Sequence, residues 1–242
     1  MKRRQFIHRS LLAATIASFS ATFSATAVAR TAEVRAGSAR LEPLPKRRKV
    51  RVAFMLGEGA NVIDTAGPWE VFQDVMMEGL IFDAHPFELF TVGPSEEMIT
   101  MTGGLEVKPH YSIRNAPQPN VIVVPAQSAT DDTRAWLRDA SAKTDVTMSV
   151  CTGAFQLARA GLLDGIPATT HHQFWDQFAK EFPDIELRRG MRFVDNGRIA
   201  TAGGLTSGID MALHIVARYF GVEAAEKTAA YMEYTSEAWR AT

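Results

Sequence analysis

The 242-residue sequence contains one cysteine, Cys151. A lone thiol excludes an intramolecular disulfide and cannot build a thiolate metal centre. The six histidines stand in no HExxH or other paired-ligand spacing, so no metal is expected. Excess charge of one sign is also missing. Lys plus Arg number 26 against 27 Asp plus Glu, a formal net charge of -1, which argues against a nucleic-acid-binding domain and its basic face. The sequence has no Walker loop, no dinucleotide glycine loop and no internal repeat, and Gly203-Gly204 alone reads as a turn; no cofactor is implied.

What is present begins with a targeting pattern. Lys2, Arg3 and Arg4 form a basic start, a moderately apolar stretch runs from Leu11 to Val28, and Ala27-Val28-Ala29 offers a cleavage site. The run Arg3-Arg4-Gln5-Phe6-Ile7 resembles a twin-arginine export signal, which carries a protein across the membrane already folded. Ser and Thr dilute the stretch, which favours cleavage over an uncleaved anchor. The expected division is a signal over residues 1–29, a flexible Ala-, Arg-, Pro- and Lys-rich leader over 30–48, and one domain over 49–242. The expected destination is the periplasm or beyond, without stable membrane insertion.

With 46% hydrophobic residues, a domain of this length buries a core without covalent staples. Apolar runs at Val52–Leu56, Phe87–Val92, Val121–Val124 and Val146–Val150 read as buried strands. Helices are expected between them: one opened by Pro68, one over Asp132–Ala142, one over Ala154–Ala160 and one carrying Phe174 and Phe178. A hairpin follows around Asp195-Asn196-Gly197, then a long helix over Ser207–Phe220 closed by Gly221, and a last helix. Strands alternating with helices give an open, mostly parallel α/β sheet covered on both faces, flavodoxin-like, with ligands at the carboxyl ends of the strands.

Chemistry concentrates at Ser149-Val150-Cys151-Thr152-Gly153. A strand runs straight into a cysteine and a helix begins two residues later, the layout of a nucleophile elbow. Helix N–H groups beside the sulfur favour thiolate and can hold an anion formed on a substrate. On spacing alone, an inert cysteine packed at a strand end fits equally well. Thr152 either donates its hydroxyl to a substrate or caps the helix. Asp64 precedes a Gly67-Pro68 helix start at the sheet's carboxyl edge. It is either a proton donor whose pKa is raised beside the sulfur or a cap for loop amides. His171 and His172 read as the end of a strand at the same edge, where a histidine is a base for Cys151 or, more often, structural.

These segments occur with Ala160-Gly161-Leu162-Leu163-Asp164-Gly165, Ala168-Thr169-Thr170-His171, Ala202-Gly203-Gly204-Leu205-Thr206-Ser207-Gly208-Ile209-Asp210 and, upstream, Ile63-Asp64-Thr65-Ala66-Gly67-Pro68. In that order they resemble the ThiJ/PfpI superfamily (class I glutamine amidotransferase-like), and within it the isonitrile hydratase branch, from about Val50 onward. The resemblance implies Cys151 as nucleophile, with Thr152 and Asp64 beside it. It also implies an oxyanion or substrate site near Ala126, Gln127, Gly153 and His171, a small-molecule substrate and a homodimer. Thiol chemistry on amides or aldehydes, and non-catalytic ligand binding or redox sensing, are the alternatives. Ligand-sensing halves of AraC-type regulators share much of the pattern. Only about twenty residues follow Phe220, too few for a DNA-binding domain in this chain. One departure stands out: Pro125-Ala126-Gln127 replaces the glycine pair that relatives commonly carry after the third strand.

Overall fold

Residues 43–75 and 85–240 are described by the computed structural model; the expected export signal and the leader up to residue 42 lie outside the described residues. The apolar run at the domain's start is the strand Val50–Met55 (β1), buried except at Arg51. Helix Val62–Gln73 (α1) follows, then strand Phe87–Gly93 (β2). Ile99–Thr100 (β3) and Glu106–Val107 (β4) form a small antiparallel ribbon, and Tyr111–Ser112 (β5) returns to the sheet. Strand Val121–Val124 (β6), helix Asp131–Ser141 (α2), strand Val146–Ser149 (β7) and helices Gly153–Arg159 (α3) and Trp175–Glu181 (α4) come next. The hairpin Phe193–Asp195 (β8) and Ile199–Ala202 (β9) precedes helices Ser207–Phe220 (α5) and Val222–Tyr231 (α6).

The main sheet runs β5-β2-β1-β6-β7-β9-β8, and every pairing in it is parallel except β8 with β9. Strand alternation divides the core. Val52 and Phe54 pack with Val71, Phe72, Met211 and Ala225 from α1, α5 and α6. Ala53 and Met55 pack on the other face with Leu137, Leu157 and Phe178 from α2, α3 and α4. Burial on both faces is why these strands read as unbroken apolar runs. From β1 the chain moves outward to β2, whereas from β6 it moves the other way to β7, so the carboxyl ends of β1 and β6 flank a topological switch point.

Several local expectations need correction. Helix α1 begins at Val62, six residues before Pro68, because Asn61 caps it: its side-chain oxygen accepts the N–H groups of Ile63 (3.1 Å) and Asp64 (3.4 Å). Pro68 lies inside the helix, where it withholds the N–H that the Asp64 carbonyl would otherwise accept. His171 and His172 end no strand. Only Ala168 makes an isolated bridge, to Leu187, and Phe174 belongs to a 3-10 turn ahead of α4. The leader is docked well before residue 49. Leu44 is buried and donates its N–H to the Arg218 carbonyl (3.2 Å), while Arg47 grips Asp145 through two bonds of 2.6 and 2.7 Å.

Candidate active site

The reversal from β7 into α3 places Cys151 at φ 57, a left-handed conformation that costs a non-glycine residue about 1–2 kcal/mol. Two main-chain anchors hold it. The Cys151 N–H donates to the Gly203 carbonyl (2.7 Å), and the Thr170 hydroxyl donates to the Cys151 carbonyl (2.9 Å). Gly153 is required by close approach, since a Cβ there would stand 2.1 Å from the Val124 carbonyl oxygen at the end of β6. The elbow expected from the sequence is therefore formed, and its sulfur-bearing residue is 6% exposed.

Asp64, in the first turn of α1 and fully buried, faces this thiol. One carboxyl oxygen, Oδ2, accepts the Ala126 N–H (3.1 Å) and so bridges the switch point between β1 and β6. The other, Oδ1, is buried without a conventional hydrogen-bond partner. Burial pushes the Asp64 pKa up to about 6; the Ala126 N–H and, more weakly, the Cys151 thiol oppose that rise. The loop-amide role considered for Asp64 is thus present in Oδ2, while Oδ1 is left without a conventional partner.

The sulfur's own environment reverses one expectation. Burial, reinforced by the Asp64 charge, pushes the thiol up to about 11, although the N–H groups of Thr152 and Leu205 and the Thr152 hydroxyl favour thiolate. A seven-residue helix start does not overcome desolvation next to a carboxylate. The resting pair is therefore a neutral thiol beside a carboxyl group that is mostly ionised at neutral pH. Thr152 makes no side-chain cap bond to α3; its hydroxyl acts on the sulfur.

Two of the amides expected to receive a substrate anion are already engaged. Ala126 gives its N–H to Asp64, and Gly153 gives its N–H to the Val150 carbonyl (2.9 Å). Gln127 turns away from the elbow toward β1, its side-chain amide donating to the Met55 carbonyl (2.8 Å) and its own carbonyl accepting from Gln156 (3.1 Å). His171 accepts the Gln173 N–H through Nδ1 (3.3 Å) and stacks on His172 at 4.5 Å between ring centroids. Burial and the neighbouring His172 lower its pKa, so it is neutral at neutral pH, and it forms no hydrogen bond with Cys151. Its ring rests on Gly204, where a Cβ would meet Cδ2 at 2.4 Å.

Sequence reasoning missed Leu205 and Thr170. Leu205, at φ 49, is a second left-handed non-glycine residue, and its N–H serves the sulfur. Its loop is braced by Arg192, which reaches the Thr206 hydroxyl (3.3 and 3.4 Å) while paired with buried Asp210; Ser236 also donates to Asp210 (2.7 Å). The only warning in the sequence is a large residue following Gly203-Gly204 in a turn. Among the described residues no group of three or more His, Cys, Asp or Glu side chains converges to hold a metal.

Comparison with known proteins agrees with this fold. The pattern of the DJ-1/PfpI family matches residues 50–218. The isonitrile hydratase of Pseudomonas putida is 29% identical over 76% of this chain and 78% of its own length. The HTH-type transcriptional regulator GbdR of Pseudomonas aeruginosa is 25% identical over 75% of the chain, which spans half of the regulator's length. Among solved structures, a THiJ/PfpI family protein from Pseudomonas syringae superposes with a TM-score of 0.69 at 24% identity, covering 86% of this chain and 84% of that one.

Proposed function

The chain belongs to the DJ-1/PfpI family, and on that premise we propose that it hydrates an isonitrile to an N-substituted formamide with Cys151 as nucleophile. The observation that carries the reading is the buried Asp64 carboxyl group facing the Cys151 thiol, with the Thr152 hydroxyl acting on the same sulfur. An acid whose pKa is near 6 is poised to accept and return protons close to neutrality.

In the proposed sequence the sulfur attacks the terminal isonitrile carbon as its proton passes to Asp64. Asp64 then protonates that carbon, leaving a thioimidate, R–N=CH–S, on the enzyme. Water adds to the thioimidate carbon, its proton moving through Asp64 to the nitrogen. Collapse forms the C=O bond and breaks the C–S bond, releasing R–NH–CHO, and the hydroxyl proton returns to the sulfur through Asp64. No preformed thiolate is needed, because the base stands beside the thiol.

Turnover of a simple isonitrile by purified protein, compared with Cys151→Ala, tests the reading. Loss of at least about 1000-fold in the variant is expected for removal of a nucleophile, and equal rates would remove the proposal. The regulators among the relatives favour one second reading, ligand binding without chemistry. That reading predicts thermal stabilisation by ligand that persists in Cys151→Ala while wild type shows no turnover.

A further inference from the structure

Thr170 is fully buried and lies outside every element of the sheet, yet its hydroxyl makes a side-chain hydrogen bond to the elbow's main chain, to the Cys151 carbonyl at 2.9 Å. The carbonyl it holds belongs to the same peptide unit as the Thr152 N–H. A peptide unit is planar and trans, so its carbonyl and N–H point in opposite directions, and fixing one fixes the other. The Thr152 N–H is one of the groups that act on the Cys151 sulfur.

We propose that Thr170 is a positioning residue: by gripping the Cys151 carbonyl it aims the N–H of that peptide unit at the sulfur. Two further features support this. The peptide plane starts from a left-handed Cys151, a backbone conformation that a non-glycine residue holds at a cost, and a tether from outside the turn helps to keep it. The tether is itself anchored, because the Trp175 indole N–H donates to the Thr170 carbonyl (3.0 Å), joining the start of α4 to the elbow. A hydrogen bond accepted by a peptide carbonyl also polarises the N–H across the unit, strengthening it as a donor. The Cys151 N–H bond to Gly203 belongs to the preceding peptide unit, and the Ala154 N–H reaches the same Cys151 carbonyl only at 3.5 Å, so the Thr170 hydroxyl makes the shorter bond to this plane.

The inference rests on Cys151 as the reactive group but not on isonitrile as its target, so its test uses none. With one thiol in the chain, iodoacetamide reports on Cys151 alone. Thr170→Val is expected to slow alkylation by about 3–10-fold at fixed pH, the equivalent of a half to one pKa unit. The Thr152 amide resonance should move upfield and lose exchange protection, while neighbouring amides of β7 and α3 keep theirs. Thr170→Ser restores the hydroxyl and should return both readouts to within about 2-fold of wild type. A folded Thr170→Val protein with an unmoved Thr152 amide, or with general loss of protection across β7 and α3, overturns the proposal.

Wild type supplies a measurement independent of variant folding. The Thr152 amide proton should titrate in step with the Cys151 13Cβ resonance, and absence of that coupling also overturns it.

Discussion

Asp64 sits in α1 at the switch point between β1 and β6, Asp195 sits in the edge strand β8, and the protein solvates their buried carboxyl groups differently. Asp195 accepts Arg218 (2.9 Å) and the Gly197 N–H (2.8 Å) and pairs with His214 (3.0 Å), whose other ring nitrogen meets the Trp239 carbonyl (3.2 Å). Asp64 has one amide and no cation, and one of its oxygens has no conventional partner. A buried carboxylate with cation and amide partners is a structural device, whereas a buried carboxylate left short of partners is kept at a cost in stability. The comparison teaches that burial does not separate the two roles; the number and charge of the partners does.

The largest effect comes from breaking the satisfied cluster. Asp195→Ala leaves Arg218 and His214 facing each other in a nearly dry site, their side chains 8% and 5% exposed. Removing one partner of such a group costs about 3–5 kcal/mol. Chemical denaturation should show a loss of that order, with Cys151 alkylation in the remaining folded protein unchanged. A loss under about 1 kcal/mol breaks the comparison, because Asp195 would then be no better employed than a surface pair.

Asp64→Asn should have the opposite profile. Removing the proton carrier is expected to lower isonitrile hydration by about 100–1000-fold, the scale of general acid–base catalysis. Stability should rise instead. Raising the acid from 3.8 to about 6 disfavours its ionised form in the folded state by roughly 3 kcal/mol at most. Between about pH 4 and 6 the folded protein holds a proton that the unfolded chain has released, so this contribution lowers stability as pH rises through that window and is constant outside it. The asparagine variant lacks the decline, and the difference between the two stability curves should open across the window. A difference that stays flat would mean Asp64 is not under strain from burial.

What the sequence made legible follows the range of the interactions involved. The runs at β1, β6 and β7, the hairpin at Asp195-Asn196-Gly197 and the Cys151 turn depend on neighbours within a few residues, and all were readable. Asn61 as the cap of α1 was local too, but Gly67-Pro68 gave a louder start signal and obscured it. The use of the Ala126 amide, the Thr170 grip on the elbow and the Asp195–His214–Arg218 cluster were not readable. Each joins residues brought together only by strand order, and a main-chain N–H carries no sequence mark of where it points. The thiolate expectation failed for a related reason. A helix start is visible in sequence, whereas the depth at which the sulfur is buried beside Asp64 is not.

The smallest effect concerns the second strained residue. Leu205 holds φ 49 and is 40% exposed, so little packing repays the left-handed backbone. Glycine removes that steric term, about 1–2 kcal/mol, but adds about 0.5–1 kcal/mol of lost unfolded-state freedom. Leu205→Gly is therefore expected to stabilise the protein by about 0.5–1 kcal/mol, a rise in Tm of roughly 1–4 °C for a chain of this size. The N–H that serves Cys151 is retained, so alkylation should stay within about 2-fold of wild type. Destabilisation by more than about 1 kcal/mol would mean that the leucine side chain, not the amide beneath it, justifies the strain. In that event Leu205 would join the satisfied side of the comparison with Asp195, leaving Cys151 alone as the strained backbone position beside Asp64.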